Sequence, residues 1–504
     1  MMEPHHIPCE SGGGAVSVTS IIVHRDQKLA FSLGRLFVPR MHARRRVFSL
    51  VLLVLWAMPQ WSLAQPGSLD LSFAPALTAG ASVYVVALQT DGQILIGGSF
   101  TATGNVSVVN VARLNPDGSL DATFNPGTAA DTGYVDAIAV QTDGKVLIGG
   151  AFSSSTGATS QRLTRLNPDG SVDEDFDPSL VVDQPVNAVA LQSDGRILIG
   201  GSFVLVDFTL RRSVARLNTN GTLDLTFDAC VATSAGLGAT ALALQNDGRI
   251  LVTGSFTFTS GAARQGIARL GHNGDLDPTY ASQPGVNSGA TVYGLALRTN
   301  GAALLCGDFE SFSFVPRVGI VQLDPLGALD PKVDPGAGLD LGITLYALAL
   351  QTDGKIILGG NFSQYNGQPK YGIARFKADG SLDTAFDTGS GPNDLVSSFA
   401  LQSNGTILVA GRYTSFNGVA ENGLARLMGD PPRPRLSAPS RPGNGAFVLL
   451  FSGEEHFHYI LQTSSNMVDW IPIAYFNVTN APVSLADPDA GFYPRRFYRA
   501  IVLP

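Results

Sequence analysis

The sequence predicts an all-β protein: a seven-bladed β-propeller of four-stranded blades, closed by its N-terminal strand, plus a small C-terminal β-sandwich. Three observations predict this fold. An Asp-Gly or Asn-Gly turn recurs seven times, every 51–53 residues. Each repeat contains two hairpin-like phrases, which makes four strands per repeat. The last repeat lacks its final strand, and a matching phrase precedes the first repeat. Four strands at this period are typical of a propeller blade.

The first phrase of each repeat is a hairpin whose turn separates two apolar runs. In the first repeat it reads ALQTDGQILIGGSF at 87–100, and the second phrase reads ARLNPDGSLD at 112–121. The first-phrase turns begin at Asp91, Asp143, Asp194, Asp247, Asn300, Asp353 and Asn404. Side chains alternate along a strand, so the small and bulky faces of the first run predict blade-on-blade packing.

The two ends of the repeat region predict ring closure. The seventh repeat stops near Gly429 without a final strand, whereas GSLDLSF at 67–73 matches the sequence of that strand in the other repeats. We therefore expect the start of the region to complete the last blade, which removes exposed sheet edges.

The sequence of the repeats resembles the delta-60 repeat family, a bacterial β-propeller repeat, over roughly residues 65–428. The resemblance rests on LNPDGSLDATF at 114–124, LNPDGSVDEDF at 166–176 and ALQTDGKIILGGNF at 349–362. It implies a propeller in secreted or envelope proteins. It implies no reaction, ligand or catalytic residue.

The N-terminal residues predict export. Arg44–Arg46, an apolar run over 47–58 and the small residues before Gln65 are typical of a secretory signal peptide at 41–64. Residues 1–40 are interpreted as an upstream extension ahead of the true start at Met41, with a long leader as the alternative. The expected location is extracytoplasmic: periplasm, cell surface or medium.

The C-terminal residues predict a separate module. A Pro-rich linker at 429–444 precedes alternating runs over 445–504. This module resembles immunoglobulin or fibronectin-type β-sandwiches, on Tyr459–Gln462, Trp470 and Phe497–Arg499. An anchoring or spacer role is the hypothesis for it.

Composition excludes several classes of protein. The net charge is −8, with 33 basic and 41 acidic side chains, which argues against nucleic acid as a partner. We expect no integral membrane segment after the signal peptide, and a monomer. Two cysteines follow the signal peptide, Cys230 and Cys306, too few for a disulfide framework.

A ligand site is predicted at one mouth of the central channel. One polar-capable residue stands near the start of each first strand, and the residue type varies between repeats. These are Tyr84, Asp136, Asn187, Thr240, Tyr293, Tyr346 and Ser397. A solvated channel rim is the alternative interpretation. The variable loops are expected at the same end of the propeller, where binding concentrates on a rigid scaffold.

The second phrase carries an Arg and an Asp on either side of its turn, as in Arg113 and Asp121. We interpret the pair as a structural cross-strand ion pair, with Arg426 meeting Asp70 across the closure. The Asn-Pro-Asp-Gly turns are explained as tight turns; calcium binding is the alternative, and no other cofactor is expected.

The predicted function is that of a non-enzymatic scaffold that binds an extracellular glycan or protein through its variable-loop face. The alternative is a propeller enzyme, a hydrolase or lyase on carbohydrate or lactone that uses loop carboxylates. The sequence contains no Gly-x-Ser-x-Gly and no His-Glu-x-x-His motif, so no catalytic residue is assigned.

Overall fold

The computed structural model describes residues 21–24, 65–103, 107–153, 162–177, 179–229, 238–258, 264–282, 284–331, 343–365, 367–430, 435–440, 447–452, 458–477, 483–493 and 495–502. The chain divides into two compact units. One consists of Pro66–Gly429, and the other of Met1–Gln65 with Asp430–Pro504. The described part is all-β, apart from one short 3₁₀ helix.

Within the described residues, unit Pro66–Gly429 forms seven antiparallel sheets, one per repeat. Sheet 1 contains β2 (Ser82–Leu88), β3 (Ile94–Thr103) and β4 (Ser107–Leu114); sheet 2 contains β5 (Thr132–Val140), β6 (Val146–Ser153) and β7 (Leu163–Leu166). Sheet 3 contains β8 (Val186–Leu191), β9 (Ile197–Gly201) and β12 (Val214–Leu217); sheet 4 contains β13 (Gly238–Leu244), β14 (Ile250–Phe258) and β15 (Arg264–Leu270). Sheet 5 contains β16 (Val292–Leu297), β17 (Ala303–Gly307), β20 (Ile320–Leu323) and β21 (Leu329–Asp330). Sheet 6 contains β22 (Thr344–Leu350), β23 (Ile356–Asn361) and β26 (Ile373–Phe376); sheet 7 contains β27 (Val396–Leu401), β28 (Ile407–Gly411) and β31 (Leu424–Leu427).

Four of these sheets carry an extra two-stranded hairpin between their second and third main strands, here called a tip hairpin. The tip hairpins are β10–β11 (Leu205–Val206, Thr209–Leu210), β18–β19 (Ser311–Phe312, Val315–Pro316), β24–β25 (Gln364–Tyr365, Gln368–Pro369) and β29–β30 (Ser415–Phe416, Val419–Ala420).

The sequence predicts a fourth strand in each repeat, and in the described residues this strand is short. Only sheet 5 has a fourth strand of more than one paired residue among the described residues; in sheet 1 it is a single bridge between Leu114 and Leu120. The strand ends early because the chain turns again at once, where the Phe124 amide donates to the Asp121 carbonyl at 3.2 Å.

Neighbouring sheets pack through apolar side chains that are almost fully buried. Each consecutive pair of sheets shares a core cluster; Leu95 and Ile148, for example, join sheets 1 and 2. The same holds for the two ends of the series, since Ile94 and Ile96 of sheet 1 pack in one cluster with Leu408 and Ala410 of sheet 7. Burying such aliphatic side chains is the main favourable contribution to folding.

The chain ahead of sheet 1 pairs with the last strand of sheet 7. Leu69 bridges Leu427, and the Asp70 amide donates to the Arg426 carbonyl at 2.8 Å. The Arg426 guanidinium contacts the Asp70 carboxylate at 2.7 Å. This is the ion pair that the sequence predicts for closure.

The second unit contains two sheets. One has the order β1 (Ile21–His24), β37 (Arg495–Val502), β34 (His458–Ser464) and β35 (Ile471–Asn477); the other contains β32 (Arg435–Ser440), β33 (Phe447–Ser452) and β36 (Val483–Asp487). The 3₁₀ helix is Pro488–Phe492. Phe451 of one sheet and Tyr459 of the other meet in one core, with ring centroids 4.7 Å apart. Strand β32 lies inside the predicted linker, and β1 lies inside the predicted upstream extension.

Candidate functional site

All seven predicted site residues occupy the same irregular position in the first strand of their sheets. In sheet 1 the register shifts between Val83 and Val85, so Tyr84 is the extra residue of a β-bulge opposite Gly97 and Gly98. The same shift falls at Asp136, Asn187, Thr240, Tyr293, Tyr346 and Ser397. All seven side chains are half-buried. They are called the mouth residues below.

The bulge requires a glycine in the facing second strand. A Cβ on Gly98 would overlap the Ser82 carbonyl oxygen, and one on Gly150 would overlap that of Tyr134. Glycine is present at the matching place in every sheet: Gly98, Gly150, Gly201, Gly254, Gly307, Gly360 and Gly411. The single varied residue does not locate the bulge in the sequence, but glycine inside a strand is a signal for it.

Three mouth residues are used to join neighbouring sheets. Asn187 Nδ2 donates to the Ala239 carbonyl at 3.2 Å, and Thr240 Oγ1 donates to that of Val292. Ser397 Oγ donates to the Val83 carbonyl at 2.7 Å, which joins sheet 7 to sheet 1. Each acceptor directly precedes the next sheet's mouth residue. These three side chains therefore have a structural role.

The other four mouth residues, Tyr84, Asp136, Tyr293 and Tyr346, are larger or acidic. Tyr293 and Tyr346, on adjacent first strands, lie with ring centroids 5.0 Å apart. Tyr84 contacts Tyr134 edge-on at 5.7 Å. Sequence reasoning missed Tyr134, because it stands outside the repeated position and only the packing of β5 beside β2 brings it to Tyr84.

The electrostatics around Asp136 are set by burial. Burial raises the pKa of Asp136 to about 7. Burial also raises the pKa of Tyr134, with a further contribution from the Asp136 charge and from Tyr84. A carboxylic acid with this pKa can donate or accept a hydrogen bond near neutral pH. The arrangement of two tyrosines and one such acid can bind hydroxyl and amide groups.

The Arg and Asp of the second phrase form a repeated structural group, here called the arginine lattice. Arg113 Nε contacts Asp121 at 2.7 Å, its guanidinium lies 4.8 Å from the Phe124 ring centroid, and Nη1 donates to the Pro168 carbonyl of the next repeat at 2.7 Å. The arginines that repeat the ion pair and the ring contact are Arg165, Arg216, Arg269, Arg375 and Arg426. The predicted Arg–Asp pairing is confirmed.

The fifth repeat exchanges the members of this lattice. Gln322 replaces the arginine and donates to Asp330 at 2.8 Å. Its neighbour on the first hairpin is Arg298, which donates through Nε to Gln322 Oε1 at 2.7 Å. In the preceding repeat the residues are reversed, as Gln245 and Arg269. The positive charge therefore moves to the turn of the first hairpin.

The polar side chains of the Asn-Pro-Asp-Gly turns form hydrogen bonds within the turns. Asp117 Oδ1 accepts from the Ser119 amide at 2.9 Å and from its hydroxyl at 2.7 Å, and Asn115 donates to the same hydroxyl at 2.9 Å. These hydrogen bonds account for the turn residues. Among the described residues no group of three His, Cys, Asp or Glu side chains is placed to hold a metal ion.

An open cavity of about 390 Å³ lies between sheets 1 and 2, lined by Ser99, Thr101, Asn110, Asp131 and other residues of the loops. Sequence reasoning missed it. Asn110 adopts a φ of 63°, and its amide donates to the Ala130 and Gly133 carbonyls at 2.8 and 3.1 Å. Asn110 therefore joins the two sheets at the cavity edge.

Comparison with family models matches six of the repeats. Residues 89–124, 141–176, 192–227, 245–280, 351–386 and 402–430 match the model described as "Domain of unknown function (DUF5122) beta-propeller". The unmatched fifth repeat is the one with the Arg298–Gln322 exchange. These six segments are thus similar to a family of β-propeller repeats. A comparison with curated proteins found no match.

Solved structures show distant likeness. A protein of unknown function from Bacteroides caccae is 15% identical, covers 61% of this chain and 97% of its own, and has a TM-score of 0.32. A gluconolactonase from Xanthomonas campestris is 14% identical (73% and 99% covered, TM-score 0.34), and a glycoside hydrolase is 11% identical (85% and 95% covered, TM-score 0.25). Scores this low carry no inference about activity. Among the described residues no helix is long and apolar enough to cross a membrane.

Proposed function

We propose that the seven sheets are the blades of one closed propeller of the delta-60 repeat type, and that the second unit is an immunoglobulin- or fibronectin-like β-sandwich. The closure is supported by the core cluster and the hydrogen bonds that join sheets 7 and 1. The sandwich is supported by two sheets that share a core. The signal peptide, which lies outside the described residues, exports the protein beyond the cytoplasm.

The proposed function is that of an exported scaffold that binds a glycan or protein at the loop face. One observation carries it: the mouth residues divide into two kinds. Asn187, Thr240 and Ser397 join sheets, whereas the tyrosines form two half-buried aromatic pairs, Tyr84 with Tyr134 and Tyr293 with Tyr346. Convergent aromatic and polar groups on a rigid scaffold are typical of binding sites.

The test is a glycan array with a soluble-product assay on the purified protein, with and without chelator. We expect saturable binding without released product, and at least about a tenfold loss of affinity in Tyr84→Ala/Tyr346→Ala. The control is Tyr475→Ala, which removes an exposed tyrosine of the second unit. Unchanged affinity in the double variant would show that the mouth residues do not bind the ligand. Binding lost on chelation would revive the calcium alternative.

The enzyme alternative rests on a different observation, the pKa of about 7 at Asp136 beside Tyr134. A general acid needs a carboxyl group that keeps its proton near neutral pH. Released sugar or an opened lactone in the product assay, abolished by Asp136→Asn with binding retained, would establish a hydrolase or lyase. Product formed equally by Asp136→Asn would exclude this assignment of the acid.

A further inference from the structure

The cavity between sheets 1 and 2 lies beside a residue that sets sheet 1 apart from most other sheets. Asn110 directly precedes Val111, which pairs with Gly97 of the second strand. In sheets 4 to 7 the residue that directly precedes the equivalent pair is glycine: Gly266, Gly319, Gly372 and Gly423. Asn110 and these glycines all adopt the left-handed region, with φ from 63° to 74°. Asparagine tolerates this conformation better than most residue types, so sheet 1 can carry a side chain at this position.

In two of the other sheets a neighbouring residue packs directly on the glycine. A Cβ on Gly266 would lie 2.5 Å from a methyl carbon of Val286, and one on Gly372 would lie 3.0 Å from the Pro392 ring. Val286 and Pro392 belong to the chain that leads into the next sheet. At these two glycines the sheet and the incoming chain are therefore in contact.

In sheet 1 the side chain of Asn110 stands between the sheet and the incoming chain. Asn110 is 4% exposed, and its Nδ2 donates to the Ala130 and Gly133 carbonyls at 2.8 and 3.1 Å. Its Oδ1 accepts from the Phe100 amide at 3.2 Å. The amide group therefore holds the start of sheet 2 one side-chain length away from β4, beside the cavity of about 390 Å³. The cavity is thus built into this junction by a buried polar side chain.

The residues that line the cavity favour an uncharged ligand with many hydroxyl groups. Thr78, Ser99 and Thr101 contribute hydroxyl groups, which both donate and accept hydrogen bonds. The lining contains one carboxylate, Asp131, and no basic side chain among the described residues, which disfavours an anion. The described residues also place no group of three ligating side chains for a metal ion. The volume lies within the range of roughly 300–1,000 Å³ that small-molecule sites occupy.

The cavity adjoins one of the aromatic pairs at the mouth. Gly133, which lines the cavity, directly precedes Tyr134, and Tyr134 contacts Tyr84 edge-on at 5.7 Å. Ser99, on the opposite side of the cavity, pairs with Ser82, two residues before Tyr84. The cavity and the tyrosine pair therefore lie between the same two sheets, at the starts of β2 and β5. A sugar ring packs its C–H face on an aromatic ring while its hydroxyl groups bind polar groups beside that ring.

We propose that this cavity is a subsite for one sugar unit of a neutral oligosaccharide. The adjoining unit packs against Tyr134 and Tyr84. This inference rests on the proposed glycan binding and deepens it, because it assigns an uncharged class of glycan and the junction at which that glycan binds. A cavity lined by hydroxyl groups suits sugar better than the apolar anchor residues of a protein partner.

The first experiment is calorimetric titration of the purified protein with cellotetraose, maltotetraose and mannotetraose. We expect at least one of these neutral oligosaccharides to bind. Ser99→Ala/Thr101→Val removes the two hydroxyl groups and keeps the branched shape of the second side chain, so its affinity should fall by about tenfold. Unchanged affinity in this variant would overturn the proposal, and so would the absence of binding by all three oligosaccharides at millimolar concentration.

The matched control is Ser255→Ala/Thr257→Val in sheet 4. Both pairs stand in the same sequence, Gly-Ser-Phe-Thr, at 98–101 and at 254–257. Both variants make the same chemical change at the same strand position, but Ser255 and Thr257 do not line the cavity. We expect the control to keep its affinity. Equal losses in the two variants would show a general effect on the sheets and overturn the proposal.

A second variant, Asn110→Gly, tests the origin of the cavity. Glycine suits the left-handed conformation at this position, but it removes the amide that holds the start of sheet 2 away from β4. We expect a cooperative thermal unfolding transition together with at least about tenfold weaker oligosaccharide binding. Unchanged affinity in the folded variant would overturn the proposal. If this variant does not fold, Ser99→Ala/Thr101→Val decides.

The remaining outcomes separate this inference from the proposed function. Oligosaccharide affinity lost in Tyr84→Ala/Tyr346→Ala but kept in Ser99→Ala/Thr101→Val would support the mouth and refute the cavity subsite. Affinity lost in the cavity variant alone would support the subsite and refute binding by the mouth tyrosines. Tighter binding of polygalacturonate, an acidic polysaccharide, that requires Ser99 and Thr101 would overturn the assignment to a neutral glycan.

Discussion

The arginine lattice and the mouth residues each take one fixed position in every repeat. The lattice position keeps nearly the same side chain throughout, whereas the side chain at the mouth position varies. In the lattice the local structure depends on side-chain contacts, because Arg113 contacts a carboxylate, an aromatic ring and a backbone carbonyl at the same time. At the mouth position the local structure depends on a backbone bulge, which the glycine on the facing strand allows. A position whose geometry is held by backbone is free to vary its side chain, and such positions can acquire binding.

Breaking the lattice should have the largest effect. Arg375 is 1% exposed and lies 2.8 Å from Asp383 and 4.4 Å from the Phe386 ring centroid. Arg375→Ala leaves a buried carboxylate without this partner, so we expect the free energy of unfolding to fall by about 3–5 kcal/mol, measured by urea denaturation. Arg196→Ala, which removes a side chain that is 42% exposed, should cost less than about 0.5 kcal/mol. Equal losses would contradict the buried role.

Disturbing the bulge should have an intermediate effect. In Gly150→Ala the new methyl group meets the Tyr134 carbonyl, so the backbone that places Asp136 must move. We expect a loss of about 1–3 kcal/mol in the free energy of unfolding. Gly271→Ala is the control, because its nearest neighbour to a new Cβ is 3.5 Å away. If Gly150→Ala unfolds like the control, the glycine is not needed by the bulge.

Removing the acid at the mouth should have the smallest effect, and one that depends on pH. Folded Asp136 keeps its proton up to about pH 7, whereas the unfolded chain releases it near the ordinary value of 3.8. Its contribution to stability is therefore complete below about pH 4 and is lost as pH rises to 7. Asp136→Asn cannot ionise and should gain on the order of 1–2 kcal/mol at pH 8 relative to pH 4, since solvent at the mouth reduces the full effect.

The check is urea denaturation of Asp136→Asn and of the original protein at pH 4.5 and pH 8. Ser397→Ala is the matched variant: it removes the hydrogen bond to the Val83 carbonyl, and its cost of about 1 kcal/mol should be the same at both pH values. A stability difference for Asp136→Asn that does not change with pH would contradict the raised pKa.

Much of the fold follows from local pattern. Turn dipeptides such as Asp91-Gly92 and the alternation around them locate the first hairpins, and the Arg–Asp spacing predicts the ion pairs that the structure contains, including Arg426 with Asp70. The sequence predicts a fourth strand in each repeat, but its spacing does not reveal that this strand ends where the chain turns again at Asp121. The mouth residues were located as a set, and their use as ligand groups stays a prediction.

By itself, then, the sequence determined where strands and turns occur and which charges pair across a hairpin, because these depend on residues a few positions apart. Tertiary structure alone decided that Ser397 reaches Val83 and that Tyr134 meets Tyr84, since these contacts join different repeats. It also decided that Asn110 holds the start of sheet 2, through hydrogen bonds to residues some twenty positions later in the chain. Contacts between repeats depend on the angle at which sheets pack, and no local pattern encodes that angle.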